Sequence, residues 1–432
     1  MKAGISIRDI TPKGVVKLGG YPEPADRCGL HTHDPLYSSA YYLQSDGKEF
    51  LLFCNDIIYF NNKDSQGIRR QLAEATGIPY DHILLSATHT HSGPQYGEVN
   101  GVDPYPEWLA YATKLLIENA KEAMANTFDA KIGYAIDICG KDNGIGGNRH
   151  SIDGPCDPRT TVMAIKDMDD KLRGLIVNYS LHPTVIHAES YNYSADFVWG
   201  LRTYFTTNYP DAILGFNMGC SGDQSTRFFR HGQTWEEAMR IGSLIGASAH
   251  KALLSIVDYD ENPVLATASN FIVPPVKTIP SVEEATATWE KAKKDYDDLV
   301  ASGAPYTECR SMECTLIGTL MMRRKAIRVA NEGVDAVMSY GLPVELRAFR
   351  IGKAVFACVS CECFIEIGLQ IKAQSPFEYT FISTLTGGDG IGYLVTDKAF
   401  DEYCYEANET SFYYGAAKMV AEESLKLVNF LK

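Results

Sequence analysis

Short runs of β-branched and aromatic residues alternate along this chain with longer stretches of helical periodicity, and that alternation confines it to an α/β architecture. EFLLFCNDIIYF, HILLSATHTH, LRGLIVNYSLHP and KAVFACVSC read as strands. PEWLAYATKLLIENAKEAMAN reads as a helix, as does SQGIRRQLAEATG, closed by Gly77. The strand runs break off into polar or Gly-rich turns, so the chemically active side chains are expected at strand ends, where α/β folds usually place their sites.

One stretch changes character. Across residues 274–335, PPVKTIP leads into a charged segment of high helix propensity. Ser281 and Glu284 match a capping box there, Gly303 is the expected stop, and a second helix, RRKAIRVANEG, follows. Strand pattern resumes at LPVELRAFRIG, so residues 274–335 are expected to form a helical arm inserted into one α/β unit spanning 1–432.

The formal charge of -14 opposes nucleic acid phosphates and anionic membrane faces as main partners. No apolar run follows the opening MKAGISIRDITPKG, and no stretch of about 18 apolar residues is present, so neither a secretory signal nor a transmembrane segment is expected. Eleven cysteines, an odd number without repeating spacing, suit a reducing compartment, and the expected location is the cytoplasm. Cys358, Cys361 and Cys363 form a CxxCxC cluster, but it lies in an apolar strand pattern with no second pair at zinc-site spacing, which favours buried structural thiols.

Three patterns point to chemistry. In Ala87-Thr88-His89-Thr90-His91-Ser92-Gly93-Pro94, two histidines follow an apolar strand at a spacing that puts them on one face of extended backbone, a common presentation of imidazole to a metal. In NYSLHP, a second strand ends in His182, biased away from helix by Pro183. The third, Gly219-Cys220-Ser221-Gly222-Asp223-Gln224-Ser225, is a small-residue turn that lets backbone approach a ligand and offers Ser221 or Ser225 as a hydroxyl. It is not a GxSxG elbow, so a serine-hydrolase mechanism has little support. His31 and His33 repeat the HxH spacing and are expected in a turn near the site mouth. Asp56 and Asp196 are either partners of a metal-bound histidine or caps.

Taken in order, the motifs resemble the neutral, non-lysosomal ceramidase family over nearly the whole chain. They are Asp9-Ile10-Thr11-Pro12 with Gly20-Tyr21, ATHTHSGP, Asn148-Arg149, NYSLHP with Ser194-Ala195-Asp196, Gly222-Asp223-Gln224-Ser225, and IGYLVT followed by Tyr405-Glu406. The resemblance implies a layered core of mixed β-sheets flanked by helices. It also implies hydrolysis of the amide joining a fatty acyl chain to a sphingoid base, with Zn2+ held by His89, His182, Glu362 and Tyr393. By position it makes Ser225 the catalytic serine and Arg149 the arginine near the reacting carbonyl. His91 becomes a second-shell or substrate-facing histidine.

Two imidazoles and a carboxylate are a common catalytic zinc set, leaving a place for water whose pKa falls to roughly 7. The family tends to have Pro-Gly before the carboxylate; here Ser360-Cys361 stands there, and Glu366 is a competing carboxylate. Secreted ceramidases carry a further β-rich C-terminal domain, whereas this chain ends in a helical pattern and reads as the catalytic part alone. The substrate expected is therefore a small-molecule N-acyl compound, either a ceramide or a soluble amide or ester. A ligand-binding homologue without turnover is the alternative of another class. No oligomeric state follows from the sequence.

Overall fold

The computed structural model describes residues 1–339, 341–387, 392–402 and 404–432; Ile391, which opens the IGYLVT motif, lies outside them. A large sheet is built from β1 (Lys2–Asp9), β2 (Tyr37–Ser45), β3 (Lys48–Asn55), β4 (Ile83–Ala87), β5 (Phe128–Ile138), β6 (Arg159–Asp167), β7 (Leu172–Tyr179) and β8 (Ile213–Met218). Its order is β8-β7-β6-β5-β1-β2-β3-β4. A second sheet, in the order β9-β10-β11-β12, comprises β9 (Leu265–Ile272), β10 (Val344–Ile351), β11 (Ala354–Val359) and β12 (Tyr379–Thr384). The pairs β3/β4, β7/β8 and β11/β12 are parallel and the remaining neighbours antiparallel, so both sheets are mixed.

The period-2 alternation of side chains explains how the layers stack. On β2, Tyr41 and Leu43 enter a core shared with the second sheet, while Ala40 and Tyr42 pack beneath helices α1 (Asn62–Thr76) and α2 (Tyr105–Ala125). On β7, Ile176 faces the second sheet. Leu175 and Val177 face α3 (Phe197–Asn208) and α4 (Trp235–Leu254). Strands buried on both faces carry near-continuous apolar sequence, which is why these segments were so legible.

Between the adjacent antiparallel strands β9 and β10 the chain leaves the sheet as a pair of helices, α5 (Val282–Ala301) and α6 (Tyr306–Glu332). Both capping-box bonds of Ser281 and Glu284 form at the start of α5. Helix α6 begins well before the RRKAIRVANEG segment that the sequence singled out. It runs through Gly318, a residue that weakens a helix interior by roughly 1 kcal/mol. The glycine has a packing reason: a Cβ there would stand 2.8 Å from the Tyr405 carbonyl oxygen.

The outer face of the second sheet is covered by α7 (Ile365–Gln374) and α8 (Ala416–Phe430). On β11, Phe356 and Cys358 point toward the large sheet and Val355, Ala357 and Val359 toward these helices. The result is a four-layer helix/sheet/sheet/helix sandwich. All eleven cysteines are free thiols, and Cys358, Cys361 and Cys363 are buried. No helix among the described residues is long and apolar enough to cross a membrane.

Candidate metal centre

The carboxyl ends of β4, β7, β8, β11 and β12 converge at one end of the sandwich, and each delivers part of the site. His89 follows β4 in a left-handed conformation, φ 64, rare for a residue with a Cβ. Its backbone N–H donates to the Ile57 carbonyl at 2.9 Å, and its ring Nδ1 lies 3.0 Å from the Ile58 carbonyl. His182 follows β7, with its Nδ1 2.5 Å from the Ser221 carbonyl of the turn after β8. That turn passes so close to the segment after β11 that a Cβ on Gly222 would stand 2.8 Å from the Glu362 carbonyl oxygen.

A carbonyl oxygen can only accept, so both Nδ1 atoms carry a proton, and in a neutral ring the Nε2 atom is left with its lone pair. Those two Nε2 atoms are 3.2 Å apart. Glu362 Oε2 lies 3.1 Å from each. Burial pushes His182 down to about 4, so the ring is neutral near pH 7. Burial would raise the Glu362 carboxyl, but the facing His89 and His182 rings prevail and hold it well below its usual range.

With both rings neutral and protonated at Nδ1, two lone pairs and a carboxylate oxygen converge there and repel one another. A divalent cation removes that repulsion, and tetrahedral ligands at about 2.1 Å from zinc stand about 3.4 Å from each other. The donor set and its spacing therefore fit the ion. Glu366 is exposed on the first turn of α7, so the carboxylate that meets the two imidazoles is Glu362. Tyr393 is its register partner across a short parallel bridge, is itself buried, and has its hydroxyl held well above the usual range, first by burial and then by Glu362.

His91 is buried, and neither ring nitrogen has a hydrogen-bond partner. Its ring stands 5.0 Å from that of His89 and 4.8 Å from that of Tyr21, and the ligand atoms of His89, His91 and His182 lie within 4.8 Å of one another. Gly20, at φ 85, makes this possible, since a Cβ there would be 2.1 Å from His91 Nδ1. Burial, reinforced by His89, drives His91 well below its usual pKa. It offers a neutral imidazole to whatever enters the adjoining cavity.

That cavity, of about 560 Å³, is lined by His91, Arg149, Ser225 and Tyr393 together. A two-residue bridge pairs Ser225 with Gly147 and Gln224 with Asn148, which sets Arg149 beside the serine. The Arg149 guanidinium is held by Glu406, with Nε 2.5 Å from its Oε1, and lies 5.3 Å from the centre of the Tyr393 ring. His150 Nε2 is 3.1 Å from the other Glu406 oxygen. His150, Cys404 and Glu406 form a second triple with metal-like spacing, but its carboxylate already faces a guanidinium that a cation there would oppose. Tyr21 and Glu406 were visible in the sequence as motif residues without an assigned role. Asn148 was likewise a motif residue without a role, whereas His150 carried no local signal; it joins the site by following the bridge at Asn148 and meeting Glu406.

Other candidates fall elsewhere. Asp56 pairs with Arg202 at 2.8 Å and accepts from the Tyr37 N–H, so it anchors strands rather than orienting His89. Asp196 caps α3. His31 and Thr32 form a short strand against Asn192–Tyr193, His33 stacks on Trp235 at 3.7 Å, and neither histidine lines the cavity.

Two solved structures are similar to this fold over the entire chain. One is a ceramidase solved in complex with C2, with a TM-score of 0.76 at 14% identity, covering 100% of this chain and 75% of that one. The other is the neutral ceramidase from Pseudomonas aeruginosa, with a TM-score of 0.75 at 14% identity, covering 100% and 74%. The fold is a neutral ceramidase fold. No protein-family model matches the sequence, and no curated protein matches it. The ceramidase likeness therefore resides in the layered architecture.

Proposed function

We propose that this chain is a zinc-dependent hydrolase of the ceramidase type that cleaves an N-acyl amide bond. The observation that supports this most directly is the meeting of two imidazole Nε2 atoms and a carboxylate oxygen within 3.2 Å at converging strand ends. In this reading His89, His182 and Glu362 hold the ion, and Tyr393 approaches as a fourth ligand from its bridge with Glu362. When bound, zinc supplies Lewis acidity toward the substrate carbonyl and acidifies water.

The chain's own groups do the rest. Arg149, always charged and oriented by Glu406, stabilises negative charge developing on the carbonyl oxygen. Ser225, beside it, donates or accepts a hydrogen bond at the reacting centre. His91 is neutral with both ring nitrogens uncommitted, so it can take a proton from the nucleophile and pass one to the leaving amine. Eleven free thiols suit a reducing compartment such as the cytoplasm.

The test is metal content by plasma mass spectrometry on wild type, His89→Ala and His182→Ala, each checked for folding, beside turnover of paired amide and ester substrates. The expected result is one zinc per wild-type chain, lost from both variants together with amide cleavage. A folded wild type that stays metal-free after zinc is supplied would overturn the hydrolase reading and favour a binding protein. Ester cleavage without amide cleavage would make the enzyme an esterase.

A further inference from the structure

In a chain of net charge -14 the lining of the cavity gathers, besides Arg149, three guanidiniums: Arg227 and Arg230 from the turn after Ser225, and Arg310 from helix α6 of the arm. Their partners are of an unusual kind. Arg227 donates to the Arg149 carbonyl at 3.1 Å and to the Cys314 sulfur at 3.2 Å. Arg230 donates to the Thr184 carbonyl at 3.1 Å. Arg310 pairs with the part-exposed Glu313 at 2.6 Å, and its second nitrogen lies 3.1 Å from His187 Nε2.

Elsewhere in the molecule a buried arginine is matched by a carboxylate, as in Arg69 with Glu345 at 2.5 Å or Arg202 with Asp56 at 2.8 Å. Arg27, which has no carboxylate, is occupied instead by four bonds to carbonyl and hydroxyl oxygens. Arg227 and Arg230 have neither arrangement: among the described residues no carboxylate lies within ion-pair reach of them, and each has donors to spare in the cavity. Burial lowers the Arg227 pKa, and the neighbouring charges of Arg149 and Arg310 add to that. Neutral His187, pushed down to about 4 by burial and then by Arg310, accepts rather than competes. Guanidiniums gathered in one cavity, two of them without a carboxylate partner, are what oxyanions recognise.

We propose that the substrate carries an oxyanion (a carboxylate, sulfonate or phosphate) that Arg227, Arg230 and Arg310 bind in the cavity while its amide reaches the metal triangle. The second half of this statement rests on the hydrolase reading above; the anion site itself does not. It separates the chain from enzymes whose amide substrates are uncharged, and it gives the inserted arm a role, since Arg310 brings one of the three charges from α6.

The test is calorimetric titration of the full-length, zinc-supplied protein with N-butanoylglycine and N-butanoyltaurine, beside uncharged N-butanoylglycinamide. A charge-assisted hydrogen bond contributes roughly 1.5–3 kcal/mol, so the anionic probes should bind about 10- to 100-fold more tightly than the neutral one. That preference should collapse toward one in Arg227→Gln and Arg310→Gln and persist in part in Arg310→Lys, with thermal melts confirming that each variant folds. Equal binding of the neutral probe, no binding of either anion, or a preference that survives both glutamine variants would each overturn the proposal. Arginine-dependent anion binding with no cleavage of any probe would leave the anion site standing and remove the hydrolase reading alone.

Discussion

The triangle of His89, His182 and Glu362, beside the cavity-lining His91 and Tyr393, and the cavity-lining Arg227, Arg230 and Arg310 are built in opposite ways. In the triangle each imidazole is fixed by a backbone carbonyl at a strand end, and three ligand atoms meet within 3.2 Å. In the wall the charges lean on carbonyls, a thiol and a neutral ring, and one arrives from a helical arm outside the layers. On the proposed reading, the sheets hold the reacting centre while loops and the arm present the recognition groups. Such a division lets specificity change without disturbing the register of either sheet.

The largest effect should come from breaking the triangle itself. Glu362→Gln is expected to lower amide turnover by at least about a thousandfold, about 4 kcal/mol, with loss of bound zinc. Glu366→Gln should retain its zinc; equal metal loss in both would show that the two carboxylates had been assigned wrongly.

Next comes the tie that holds α7, the helix following Glu362, to the large sheet. Asp157 lies 2.7 Å from Lys372 and 2.6 Å from Arg159. Burial opposes ionisation there, but Lys372 and Arg159 hold the Asp157 carboxyl below its usual range. A depressed pKa contributes stability above the unfolded-state value of about 4, and that stability is lost as pH falls through the folded value. Asp157→Asn should therefore cost about 3 kcal/mol near neutral pH in urea denaturation, with the gap to wild type closing below about pH 4. A constant gap across that range would refute the linkage.

A smaller loss, roughly 1–3 kcal/mol, is expected for Gly222→Ala, because the added methyl meets the Glu362 and Cys363 backbone rather than a yielding side chain. It should weaken zinc binding in step with stability. Smallest is Ser281→Ala, which removes the cap of α5 and should cost about 1 kcal/mol while leaving zinc content unchanged. If zinc were lost there too, the arm and the triangle would not be independent.

The strand-end histidines and the α/β class were legible because strands buried on both faces write themselves as apolar runs, and the break after HILLS or NYSL marks where the chain emerges. The resemblance pointed to Glu362 but left Glu366 in competition, since the distinction depends on which carboxylate precedes the first turn of α7 and meets His89 and His182. The arginine wall was invisible for a related reason. Arg227 and Arg310 are far apart in the chain, sit in no periodic pattern, and become a group only when α6 folds back over the turn after Ser225. The length of α6 was also hidden, because Gly318 reads as a helix weakener until the Tyr405 carbonyl is seen beside it.

His89 and His182 are steered by peptide carbonyls of Ile58 and Ser221, not by carboxylate side chains. A carboxylate in that position would add negative charge and make the imidazole a stronger electron donor; a carbonyl leaves the pair formally neutral. With one anionic glutamate and two neutral rings, a dication would keep a net positive charge there, favouring electrophilic power over tight retention. The steering group is also beyond the reach of codon changes at Ile58 or Ser221, since every amino acid has the same carbonyl. Tuning this centre by evolution or by design would therefore require reshaping two loops rather than exchanging two side chains.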